Sequence, residues 1–552
     1  MISIHLYRPY WINKKVSEMD IHVCGWAEYE QTMYKSDSLL ELVSKKMNHA
    51  EIQTIQEFLL LLNGNFSVII KSDEKALLCV DKMRCYPVIY FNFQETFYIT
   101  DDIAVFQQNH TDSKLHVNND TVEQYLCSNY VIGPYTIYDN VFSVQSGEFI
   151  EIKDRKFTRH QYFQWKPNME NDAQRDLFKE SQLLDAVFTK VIERIITSAP
   201  DVHNWVVPLS GGHDSRLIIN YFHKLGIKNV LCFSYGMKNN NEAKISEIVA
   251  KKLGYKWYFI EQSPENIFEV QQSKAMDDYR KYAFNGTSVP HLQDFVAVYM
   301  LKKMGVIQTG DIFVPGHAHE VLTGSHLEHK VNCCSSIYES LIFIKRHFSG
   351  FGYAKRSVNL INNVLSIIDK YNINANQISE YFDWQERQTK YIANSVRVYE
   401  YLGFEWRIPQ WDYDLFNYWK NIGFNYRYGR VLYFSIEKIS LLSDLLKDIS
   451  FTSDLKERIP LKTQIITSVP LFLKKIIRFF GYNKSGYYVS TGSHLLYTNK
   501  LETIKDYQKS YAIPAVIMEY LSHYPQKMKF QYFQTDNVST LLIIRDVISS
   551  CN

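Results

Sequence analysis

The chain has 552 residues, 46% hydrophobic and 22% charged, the balance of a well-cored globular protein with room for two large domains or about three to four ordinary ones. A formal net charge of +2 without a long basic run argues against nucleic acid as the main partner. Eight cysteines with no CxxC pair, Cys333 and Cys334 being adjacent, argue against a zinc knuckle and read as reduced thiols. No apolar run approaches the ~20 residues that span a bilayer. The opening Met-Ile-Ser-Ile-His-Leu-Tyr-Arg lacks an apolar stretch followed by a cleavage site, so a soluble, cytoplasmic protein is expected.

Residues 1–165 read as a β-rich domain. A helix is expected near Asn48–Leu62, then strands at Asn65–Lys71 and Ala76–Asp81 around a Ser-Asp-Glu-Lys turn, at Val88–Phe93 and at Phe97–Thr100. An earlier strand-like stretch, Ile21–Trp26, contains Cys24. Lys166–Gln174 is polar, carries Pro and Asn, and reads as an interdomain linker. Ser181–Ser198 has helical spacing through Leu183, Leu184, Val187, Phe188, Val191, Ile192 and Ile195.

The stretch Val206–Arg216 reads Val-Val-Pro-Leu-Ser-Gly-Gly-His-Asp-Ser-Arg, and apolar helical spacing follows through Leu217, Ile218, Phe222 and Leu225. A buried strand delivering a glycine turn onto a helix start presents N–H groups, hydroxyls from Ser210 and Ser215, and a positive dipole end, a set suited to phosphate oxygens. Asp214 repels phosphate unless a divalent cation lies between them. The Gly-Lys-Ser/Thr ending of a Walker loop is absent. Strands at Val230–Gly236 and Lys256–Ile260 around a helix at Glu242–Leu253 imply a doubly wound parallel sheet with ligands at its carboxyl ends, which puts Ser234–Gly236 beside the turn.

Ser-Gly-Gly-x-Asp-Ser resembles the PP-loop of ATP pyrophosphatases. The phrases Leu62-Asn-Gly-Asn-Phe66, Asp81-Lys-Met-Arg84 with Pro87 and Tyr90, and Gly133-Pro134-Tyr-Thr136-Ile137 with Gly147 resemble, in order, the class II glutaminase domain of asparagine synthetases. The resemblance implies an Ntn-hydrolase-like antiparallel β-sandwich over 1–165 and a PP-loop ATP-binding domain over 175–552, so α/β and α+β together. That family's mature chain begins with a nucleophilic cysteine. Position 2 here is Ile2 and the first cysteine is Cys24, so the first domain is expected to be a scaffold without glutaminase chemistry.

Thr309–His326 stands where asparagine synthetases carry a second acidic loop, which by resemblance puts Glu320 on the acid that shares Mg2+ with Asp214. His317 and His319 are i, i+2, too close for a helical zinc pair; they are expected to donate to phosphate or an anionic substrate, with satisfied loop histidines as the alternative. Arg407 and Asp412, in a phrase similar to Arg-x-Pro-Phe-x-Asp, are expected to brace the next helix. Arg430 falls near the family's lysine that neutralises pyrophosphate, with a surface arginine as the alternative. Val469–Phe480 is cationic and amphipathic and reads as a core-facing helix or a membrane contact.

By resemblance the protein is an ATP-dependent, AMP-forming ligase: ATP and Mg2+ bind, a carboxylate is adenylated, and ammonia or an amine, from a partner glutaminase or free, displaces AMP. Asp214, Glu320 and Arg430 are the expected catalytic residues, with Asp214 and Glu320 holding the metal. Leu209, Ser210, Gly211, Gly212, Ser215, Phe233, Ser234, Gly236, Pro315 and Gly316 join Asp214 in lining the nucleotide. A His in the PP-loop and a Gly-His-x-x-acid loop resemble members tied to bacterial surface polysaccharides, so the carboxylate is a small molecule or a sugar acid. No transmembrane segment is expected, and a homodimer is allowed. The competing readings are a non-catalytic nucleotide-binding scaffold and a tRNA-thiolating enzyme.

Overall fold

The computed structural model describes residues 1–452 apart from 49, 74, 113–114, 172, 328–357, 375–376 and 438–441. Val469–Phe480, Cys333 and Cys334 lie outside the described residues. In chain order the strands are β1 (Ile2–His5), β2 (Ile12–Val16), β3 (Met19–Tyr29), β4 (Thr32–Lys35), β5 (Asn63–Lys71), β6 (Lys75–Val80), β7 (Ile89–Phe93), β8 (Thr96–Thr100), β9 (Val141–Ser143), β10 (Glu148–Lys153) and β11 (Lys156–Gln161) in the first part. The second part holds β12 (Trp205–Pro208), β13 (Val230–Gly236), β14 (Lys256–Glu261), β15 (Ile312–Phe313) and β16 (Glu405–Trp406).

The first eleven strands form two sheets, β1-β8-β7-β9 and β11-β10-β6-β5-β3-β2, with β4 also on β3. Side chains of a strand alternate between faces, and the larger sheet uses both. Ala76, Leu78 and Val80 of β6, Ile69 of β5 and Ile150 of β10 meet Ile2, Tyr90, Phe97 and Ile99 of the smaller sheet, a sandwich core. The opposite parity, Val68, Ile70, Cys79 and Phe149, packs into a second core with the helices Asp37–Met47 and Ile52–Leu61. That second core is continuous with Leu184, Phe188, Val206 and Leu217 of the second part, so the two halves share one hydrophobic mass. The pairing is antiparallel except that β1 runs parallel to β8. The expected single helix at Asn48–Leu62 begins at Ile52, and a helix at Asp37–Met47 precedes it, burying Leu39, Leu40, Val43 and Met47.

Residues 162–171 and 173–176 contain neither helix nor strand but are held against the second half. Lys166 Nζ donates to the Tyr371 carbonyl, Asn168 N–H to that of Lys420 (2.8 Å), and Phe424 N–H to that of Met169 (3.1 Å). The helix Leu177–Thr197 follows, capped by Asp176, whose carboxylate accepts from the Phe178 and Lys179 N–H groups. The second half is built on a parallel sheet ordered β14-β13-β12-β15-β16, with β12 at its centre. The apolar runs that read as buried strands are those that occupy the centre of a sheet covered on both faces.

A polar dock joins the halves. Asn63 Nδ2 donates to Asp412 Oδ1 (3.0 Å) while Asn63 Oδ1 accepts from the Tyr413 N–H (3.0 Å). Asp412 also caps the helix Tyr413–Lys420 and takes Arg194 Nη1, while Arg194 Nη2 reaches Glu28 and Asp414. Arg407 donates to Ser198 Oγ (2.8 Å), the Trp406 carbonyl and Glu405. Asp412 therefore braces the helix that follows, whereas Arg407 is engaged by Ser198, Trp406 and Glu405 instead. Arg84, in the Asp81-Lys-Met-Arg84 hairpin, crosses to Thr287 Oγ1 (2.8 Å) and the Thr389 carbonyl (3.2 Å).

Candidate active site

The site begins where β12 ends. Leu209 is buried, with its N–H on the Phe233 carbonyl (2.8 Å). The turn Ser210–His213 then leads into the helix Asp214–Lys224. The serines brace the turn from within: Ser210 N–H donates to Ser215 Oγ (3.0 Å) and Gly212 N–H to Ser210 Oγ (3.1 Å). Among the described residues no side chain caps the helix start, which leaves its positive dipole end uncompensated next to the turn.

The glycines differ. A Cβ on Gly211 would lie 2.1 Å from Thr452 Oγ1, so the chain's own packing demands glycine there. A Cβ on Gly212 would meet only Ser210 Oγ, at 3.2 Å, and its φ lies outside the left-handed region. That contact is tight, but it falls on one side-chain hydroxyl rather than on backbone, and no other heavy atom would lie within 4 Å. Gly212 leaves open a cradle that a side chain would fill, as close approach of a ligand requires.

Around the cradle, Asp214 Oδ1 accepts from Arg430 Nη2 (2.7 Å) and lies 3.0 Å from His319 Nδ1. Burial by itself would raise the Asp214 pKa; the bond from His319 and the Arg430 charge outweigh it and hold the carboxyl well below the usual range. Arg430 is therefore not a surface arginine. It adopts a left-handed φ of 60° at the start of the helix Val431–Ile436, and its guanidinium lies over the Tyr433 ring (4.6 Å). Glu320, half-buried on the short helix His319–Leu322, adds to the negative field that raises the Arg430 pKa against the opposing effect of burial. The fold thus gathers Asp214, Glu320 and Arg430 from positions more than 100 residues apart.

Gly316 belongs to this close packing, since a Cβ there would sit 3.0 Å from the Ser215 nitrogen. Pro315 follows Val314, whose N–H continues the sheet onto the Val206 carbonyl (2.8 Å). Phe233 is fully buried, and the Ser234 hydroxyl is engaged by the Leu209 carbonyl and Ser246 Oγ (2.6 Å). Both side chains support the turn from beneath, leaving Gly236 (φ 136°) at the strand's carboxyl end.

The two histidines point apart. His319 is fully buried on Asp214, boxed edge-on by Phe188 and Tyr433. His317 faces His291 (ring centroids 6.5 Å), and its Nε2 has no partner among the described residues. Burial, then the His317 charge, pushes His291 down to about 4. Among the described residues no group of three or more His, Cys, Asp and Glu side chains is arranged to hold a metal. Asp214 and Glu320 are two carboxylates that could hold Mg2+, which binds through one or two carboxylates and takes its remaining ligands from phosphates and water.

One contact was not legible in the sequence. The segment Ile449–Thr452 lies across the turn: Arg216 donates to the Ile449 (2.7 Å) and Ser450 (2.8 Å) carbonyls, and Thr452 N–H to that of Gly211 (3.0 Å). Phe451 stacks on His213 at 3.8 Å, and His213 Nδ1 lies 2.7 Å from Glu437 Oε2. The motif's His and Arg thus hold a strap rather than the cradle.

Comparison with known proteins adds a partial match. Residues 27–163 match the model of a glutamine amidotransferase domain. The chain is 22% identical over 241 residues to a protein of Methanocaldococcus jannaschii named as an asparagine synthetase of the glutamine-hydrolysing kind. The aligned part is 42% of this chain and spans 44% of that relative's length. Both findings support an asparagine synthetase-like chain with an amidotransferase-like first domain. Among solved structures, an NH3-dependent NAD synthetase from Campylobacter jejuni aligns at 14% identity over 39% of this chain and 95% of its own, with a TM-score of 0.21. A glutamine-dependent NAD+ synthetase from Acinetobacter baumannii aligns at 10% identity over 64% and 89%, with a TM-score of 0.19. Likenesses this low carry no argument. No helix among the described residues is long and apolar enough to cross a membrane.

Proposed function

We propose that this protein is an ATP-dependent ligase that adenylates a carboxylate, releases pyrophosphate, and passes the acyl group to ammonia or an amine. The observation that carries the reading is the open cradle at Gly212 before an uncapped helix start, with an acid and an arginine at its rim. The turn's N–H groups take phosphate oxygens of ATP, and Asp214 with Glu320 provides the carboxylates for Mg2+, which would supply charge neutralisation on the phosphates. A substrate carboxylate oxygen attacks the α-phosphorus. The bond to the bridging oxygen breaks, and its electron pair leaves on pyrophosphate. Arg430 is released from Asp214 to a bidentate contact with that leaving group. The amine nitrogen then attacks the acyl carbon, AMP departs, and an amide remains.

Cys24 supports a first domain without glutaminase chemistry. Its thiol is buried, 3.8 Å from the Ser67 carbonyl, and burial pushes its pKa well up, the opposite of an activated nucleophile. The nitrogen is then free ammonia, a primary amine, or ammonia from a partner. Sugar acids of surface polysaccharides are the substrate class to screen first, on the motif resemblance. Phosphorus NMR of ATP turnover with a carboxylate panel and ammonium tests the reading: AMP and pyrophosphate are expected, and ADP with phosphate overturns it.

A further inference from the structure

A second concavity, about 300 Å³, lies between the halves on the far side of the π-helix Asp383–Ile392. Its walls come from both: Phe142, Phe157 and Arg159 on one side, Ile367, Lys370 and Tyr371 on the other. The volume is at the lower end of the range for small-molecule pockets.

The charges lining it are unevenly satisfied. Glu386 Oε2 accepts from the Gly133 N–H (2.9 Å) and from Lys390 Nζ, and neighbouring Glu148 Oε2 accepts from the Gln145 N–H (2.9 Å). The cations are held more loosely. Lys370 has no hydrogen-bond partner among the described residues and lies 4.8 Å over the Tyr371 ring, and Arg159 pairs with Glu148 at 3.8 Å, beyond hydrogen-bond reach. The Arg159 guanidinium lies 5.4 Å over both the Phe142 and Phe157 rings, fixed by cation–π contact with its donors unused. Acids held by hydrogen bonds, two cations with no hydrogen bond among the described residues and aromatic walls form a receptor for an anion with an apolar body.

We propose that this cavity binds a small organic anion, a carboxylate or phosphate monoester carrying an aromatic or apolar group, through Arg159 and Lys370. The site is separate from the ATP cradle and does not rest on the function proposed above. Its occupant bridges the two halves against a helix whose Asp383 holds His326 Nδ1 at 2.5 Å, beside the second acidic loop.

Titration calorimetry of the full chain with phenyl phosphate, benzoate and inorganic phosphate tests this. At least one aromatic anion is expected to bind more tightly than inorganic phosphate. Arg159→Gln and Lys370→Gln, each removing a charge-assisted contact, are expected to weaken it about tenfold or more. Lys370 is exposed, so its variant folds if Arg159→Gln does not, and thermal melts of both check this. Binding of phenyl phosphate alone identifies a phosphate monoester, and of benzoate alone a carboxylate. No binding of either up to about 10 mM, or equal affinity in wild type and Lys370→Gln, overturns the proposal.

Discussion

Two glycine-bearing stretches, the start of β5 in one half and the turn after β12 in the other, serve opposite ends. At Asn63-Gly64 the protein fills every direction: a Cβ on Gly64 would lie 2.3 Å from the Trp26 carbonyl oxygen, and the Asn63 amide is consumed by Asp412 and Tyr413. At Gly211-Gly212 the first glycine is closed by Thr452, and the second would meet one side-chain hydroxyl, Ser210 Oγ, at 3.2 Å. A glycine pressed on by neighbouring backbone belongs to the architecture, and one opposed by a single hydroxyl leaves room for the close approach of a ligand. The comparison separates a half whose polar groups dock it to its neighbour from a half whose polar groups surround a cradle.

The largest effect expected from breaking that contrast is at the cradle's acid. Asp214→Asn should slow ATP cleavage on the order of 10²–10⁴-fold, the range for one electrostatic element, and should also lower the thermal midpoint, because Arg430 and His319 lose the charge they pair with. Arg430→Ala should lower kcat with the carboxylate KM nearly unchanged, the signature of a contact made on the leaving group. Steady-state kinetics check both, and a KM rise at normal kcat would move Arg430 to the substrate.

Next come the glycines themselves. Gly64→Ala, pressed on backbone, should cost about 1–3 kcal/mol of stability by overpacking and leave turnover per folded molecule intact. Gly212→Ala should do the reverse, with an unchanged urea midpoint and ATP turnover reduced about tenfold or more as the methyl displaces a phosphate. Identical profiles for the two variants would dissolve the distinction.

A smaller effect concerns pH. His291 is pushed down to about 4 in the folded chain by burial, from an ordinary 6.5. Between those values the unfolded chain takes up a proton that the folded one refuses, so stability falls as pH falls through that window. At pH 5 the loss is about 2 kcal/mol, and His291→Asn should remove it in urea titrations at pH 7 and 5. The smallest effect is expected at Cys24→Ser: purified protein should release no glutamate from glutamine with or without the thiol. Glutamate that appears in wild type and vanishes in the variant would make Cys24 a nucleophile.

What the sequence made legible follows the same contrast. The parallel sheet was readable because β12, β13 and β14 are short apolar runs ending in turns, and the cradle because Ser-Gly-Gly-x-Asp-Ser places its chemistry within six residues. Strand β2, Ile-Asn-Lys-Lys-Val, carries no apolar signal because it is polar and largely exposed, whereas the helix Asp37–Met47 does carry one, in the spacing of Leu39, Leu40, Val43 and Met47. The Asp214–His319 bond spans 105 residues, and the strap on Arg216 joins positions 233 and 234 residues apart. No local pattern encodes such pairings. The motif's His213 and Arg216 were visible, but only the folded chain shows that they hold Phe451 and its neighbours.

The central claim is that the cradle forms an acyl-adenylate, and isotope exchange tests it without an amine. Labelled pyrophosphate incubated with the protein, ATP, Mg2+ and a candidate carboxylate should enter ATP only when the cognate carboxylate is present, and Asp214→Asn should abolish the exchange. ATP consumed to ADP and phosphate, with no label returning to ATP under any carboxylate that supports turnover, would contradict the account.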